Sequence, residues 1–95
     1  MSDITRDKQF WDMADTFIQV ANTHLSDSKP SRVSTCALFA AARFNAFVIT
    51  EATENKAQLI AEKESAIAYF MAQYEAMLRE NLEEHLSRYD QKMNS

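Results

Sequence analysis

A chain of 95 residues, 46% hydrophobic, with a formal charge of −4 and one cysteine, has room for one modest core and excludes an internal disulfide framework. Its basic side chains stand singly among acids, so it carries no electrostatic footprint for nucleic acid. Glycine is absent and Pro30 is the only proline, which removes the usual hairpin turns and predicts an all-α fold with short connections.

The first helix is expected over about residues 5–26, with Asp3 or Thr5 accepting a free N–H at its start. Phe10, Met13, Ala14, Phe17, Ile18, Ala21 and Leu25 recur at the i, i+3, i+4, i+7 spacing of one apolar face. The segment SDSKPS ends this helix, because serine and aspartate compete for backbone hydrogen bonds and Pro30 fits only a first turn.

A second helix, about residues 31–52, follows from that proline. Between Cys36 and Ile49 only Arg43 and Asn45 are polar. Leu38, Phe39, Ala42, Ala46 and Ile49 share one side of it, and Val33, Ala37, Ala41, Phe44 and Val48 much of the other. A helix apolar all round must be covered all round, and a chain this short has few other elements to cover it. Its strictly apolar part is shorter than the ~20 residues of a membrane span, and Arg43 would cost roughly 2.5–3.5 kcal/mol on insertion. No membrane association is therefore expected. The first ten residues, MSDITRDKQF, lack the apolar core of a signal peptide, so the expected address is the cytoplasm.

Asn55 followed by Gln58 has the form of a capping box and opens a third helix over about residues 56–91. Ile60, Ile67, Met71, Tyr74, Leu78, Leu82, His85 and Tyr89 trace its main stripe, with Leu59, Phe70 and Met77 alongside. Such a helix would be about 54 Å long, whereas a compact globule of this size is only about 32 Å across. Either its end protrudes and needs a partner, or it breaks near Glu80 and Asn81 to form a fourth helix. Protrusion is the expectation, with Leu78, Leu82, His85, Leu86 and Tyr89 as the oligomer interface.

Candidate chemistry is sparse. Cys36 lies in an apolar run with no histidine near it in sequence and reads as a buried, inert thiol. His24 suits the end of a helix dipole, and His85 a half-buried packing or dimer-seam position; were the seam antiparallel or staggered, two copies would meet and make association pH-sensitive. A carboxylate-bridged metal site needs glutamate three residues before histidine, but Leu82 holds that place, and the neighbouring acids read as a solvated strip pairing Arg79 with Glu83 and Glu84 with Arg88. No metal, cofactor or catalytic group is expected. The polar set Asp15, Asn22, Arg43 and Asn45 stands out, because a buried cation requires a partner and Asp15 is the first candidate. The set reads as an ion pair fixing helix register or dimer orientation, or alternatively as a pocket in which Arg43 binds an anion.

The segments FWDMADTFIQVAN (10–22), ALFAAARFNAFV (37–48) and EKESAIAYFMAQYEAMLRENLEEHL resemble a small family known as a domain of unknown function, number 3144. The likeness covers roughly residues 8–90, with Phe10, Ala14, Asp15, Asn22 and Ala41 to Phe47 at the family's recurrent positions. It implies a small soluble protein of proteobacterial origin and carries no activity.

The reading is a single helical domain (1–95) in which an antiparallel hairpin and a long third helix form a bundle completed by homo-oligomerisation, with a dimer favoured. The expected function is a non-catalytic interaction or scaffold role. The alternative is a binding bundle for an anionic or amphipathic small molecule, with Arg43 as anchor and Trp11, Phe39, Phe44 and Phe47 around it.

Overall fold

The computed structural model describes residues 5–93, which form three α-helices: α1 (Lys8–His24), α2 (Pro30–Glu51) and α3 (Lys56–Met93). No strand occurs among the described residues.

α1 starts later than its sequence suggests. Asp7 is its cap, with extended backbone and a side chain that accepts from the Phe10 N–H at 3.0 Å. Its carbonyl takes the Trp11 N–H at 3.1 Å. Thr5 therefore lies outside the helix, and Asp3 outside the described residues. At the far end the N–H groups of Leu25, Ser26 and Asp27 turn back to the carbonyls of Asn22, Thr23 and His24. These tighter three-residue bonds satisfy the last carbonyls and unwind the helix.

Pro30 occupies the first position of α2, where its missing N–H costs nothing. The Lys29 carbonyl accepts from both Arg32 and Val33. α2 closes when Ala52 donates to Val48 and Ile49 and the Thr53 hydroxyl donates to the Thr50 carbonyl at 2.8 Å.

The start of α3 is fixed by side chains. Asn55 Oδ1 accepts from the Gln58 N–H at 2.9 Å, while Gln58 Oε1 accepts from the Glu54 N–H at 2.7 Å. This is the expected reciprocal cap, reaching one residue further back. α3 then runs 38 residues without interruption through Glu80 and Asn81, about 57 Å at 1.5 Å per residue. No fourth helix forms: nothing at that point removes a backbone donor, and the Asn81 amide donates to the Met77 carbonyl at 2.7 Å.

The chain divides into two units, Met1–Phe47 and Val48–Ser95, so the last turn of α2 belongs with α3. In the first unit the half-buried helical positions are Phe10, Ala14 and Ala21 on α1, with Val33 and Asn45 on α2. In the second, Leu59, Ala66, Phe70 and Gln73 mark one half-buried flank of α3. Neither unit has a buried residue among those described.

Candidate association surface

Three exposed rows of side chains carry the apolar surface. On α3 the covered flank differs from the main stripe. Ile60, Ile67, Met71, Tyr74, Leu78, Leu82, Leu86 and Tyr89 are all exposed, Tyr89 at 67%, and His85 is exposed among them. Steps of three, four and seven residues average close to the helical period, so the row keeps to one side of a straight helix. From Tyr74 to Lys92 every described residue is exposed. The residues expected to form an interface, Leu78, Leu82, His85, Leu86 and Tyr89, therefore present a continuous stripe to solvent.

On α1 the bulky residues of the expected core face are exposed as well: Phe17 is 71% accessible and Ile18 58%. The covered positions are the alternating Phe10, Ala14 and Ala21. A separate row of Trp11, Asp15, Ile18 and Asn22, spaced four, three and four residues apart, is exposed throughout, with Asp15 its only charge.

On α2 the row Cys36, Phe39, Arg43 and Phe47 is exposed along its length. Cys36 is a free, exposed thiol, which corrects its reading as buried: an apolar neighbourhood in sequence conceals a side chain only where another element covers it. The Arg43 guanidinium lies over the Phe39 ring, 4.9 Å from its centroid, a cation–π contact one helical turn apart.

The four polar residues singled out in the sequence are not gathered into one site. Asp15, Asn22 and Arg43 are exposed and Asn45 is half-buried. Among the described residues no ion pair joins Asp15 to Arg43; ion pairs there include Lys8–Asp12, Arg79–Glu75 and Arg88–Glu84 at 2.6–2.7 Å, each four residues apart on one helix. Arg79 thus reaches back to Glu75 rather than forward to Glu83, the order that also suits the helix dipole.

Two shallow, open concavities lie in the second unit. One is a shallow trough along α3 at Ala72, Glu75, Ala76, Arg79, Glu80 and Glu83, and the other lies at the α2–α3 connection around Thr50, Asn55 and Leu59. Neither contains Arg43 or the aromatic residues expected around it.

α2 also bears on the membrane question. With 22 residues and a mean hydropathy of 1.5 over its most apolar window, it is long and apolar enough to cross a membrane by length and composition. The strictly apolar stretch is shorter than a span, and it is the flanking residues of the helix that extend it to about 33 Å. Arg43, in its middle, is the feature that opposes insertion.

A small all-α protein with its apolar rows facing outward is the class these features define. Comparison with known families places it further: the family described as "Protein of unknown function (DUF3144)" matches residues 10–86. The chain belongs to that family. No curated protein and no solved structure matches it.

Proposed function

We propose that this protein is a non-catalytic, homo-oligomeric scaffold whose helices complete a bundle only when copies associate, with a dimer the simplest form. The observation that carries this reading is the lack of any buried side chain among the described residues, although each unit carries rows of large apolar side chains. Single helices with unpacked apolar rows are marginal in water, since tertiary burial supplies most of a helix's stability. The very high apolar content of α2 and the unbroken length of α3 have a common cause if both pack against a second copy.

The bundle so formed would be soluble and intracellular, its charged strips turned outward. Truncation after Arg79 tests the reading: removing Leu82, Leu86 and Tyr89 should lower the oligomeric state measured by light scattering. An unchanged mass ratio would remove the end of α3 from the interface. Binding of an anionic ligand at Arg43 is the weaker reading, because Asp15, Asn22 and Arg43 are all exposed and the Arg43 guanidinium lies over the Phe39 ring.

A further inference from the structure

A row that is to be covered by a partner must have its charges matched, because an ion taken out of water without a counter-ion costs several kcal/mol. The exposed α1 row has one charged residue, Asp15, set between Trp11 and Ile18; the exposed α2 row has one, Arg43, set between Phe39 and Phe47. One is an anion and the other a cation. Neither has an ion-pair partner among the described residues. The Phe39 ring lies under the Arg43 guanidinium carbon at 4.9 Å, a contact that takes up none of the guanidinium's N–H donors, which can still bind a carboxylate.

We infer that Asp15 of one copy pairs with Arg43 of a second copy, and that this pair, not apolar area, selects the partner and fixes its orientation. The inference rests on the scaffold reading and goes beyond it by naming the recognition element. A twofold arrangement would form the pair twice, because each contact is repeated by symmetry. A foreign apolar helix would cover the same rows and leave both charges stranded, so the pair also discriminates against wrong partners.

Charge reversal across two chains provides the test. Asp15→Arg carries two cations and Arg43→Asp two anions, so each variant alone should self-associate roughly 10- to 100-fold more weakly than the parent. An equimolar mixture restores opposite charges at both contacts and should recover parental association in a mixed species, resolved by native mass spectrometry. Recovery in the double variant but not in the mixture would place the pair within one chain and overturn the inference. Association unchanged in both single variants would also overturn it while leaving the scaffold reading intact; a monomeric parent would instead remove the scaffold reading. If a single variant loses its helical circular dichroism, the two are co-expressed with different tags. Recovery of a folded, doubly tagged species then supports the inference, and its absence overturns it.

Discussion

Replacing Leu82 and Leu86 by alanine removes apolar surface from the end of α3 without weakening the helix, since alanine is the better helix former. The two leucines are 55% and 61% exposed, so more than half of each side chain remains for a partner to cover. Leucine exceeds alanine by three carbon atoms at about 0.8 kcal/mol each when buried; scaled by that exposure, each substitution forfeits about 1.4 kcal/mol. Four leucines meet in a two-fold dimer, giving about 5.6 kcal/mol if all are covered and half that if coverage is partial. The dissociation constant should therefore rise by roughly 10²- to 10⁴-fold. Sedimentation equilibrium over a range of concentrations measures it, with far-ultraviolet circular dichroism confirming that helix is retained. A double variant that associates as tightly as the parent would refute the assignment of this stripe to the interface.

Other consequences follow from particular residues. Cys36 shares a row with Arg43, so its thiol should react slowly with a disulfide reagent at micromolar concentration and faster on dilution into the dissociated range; a rate independent of concentration would leave the α2 row uncovered. Asp7→Ala removes the cap of α1 and should cost about 0.5–2 kcal/mol in a denaturant titration, whereas Arg88→Gln, which breaks one exposed ion pair, should cost no more than about 0.5 kcal/mol. Flotation with neutral phosphatidylcholine vesicles should leave the protein in the aqueous fraction if, as proposed, another copy covers α2. Recovery with the vesicles would instead favour insertion of α2.

The all-α fold and its three helices were legible in the sequence because they rest on local signals. The glycine-free composition, Pro30 at the first position of α2 and the Asn55–Gln58 cap at the start of α3 each act within a few residues. The start of α1 was misread because Asp3, Thr5 and Asp7 are all competent caps, and only the backbone geometry selects Asp7. Arg79 likewise has acids on both sides, and the structure pairs it with Glu75. Burial was the least legible property. Periodicity identifies which side chains share a face but not whether that face is covered. Phe17 and Ile18 on α1, the Ile60–Tyr89 stripe on α3 and Cys36 on α2 all lie on faces that look like core and are open to solvent. In the candidate site the same limit applies: the sequence marks Asp15 and Arg43 as charges in apolar surroundings and says nothing about whether they meet.

Sedimentation of the unmodified 10.9 kDa chain from nanomolar to tens of micromolar bears most directly on whether its outward-facing apolar rows are shared between copies. A mass at least twice that of one chain at the upper end, falling on dilution together with helix content, is the predicted result. A well-folded single chain throughout that range would contradict it.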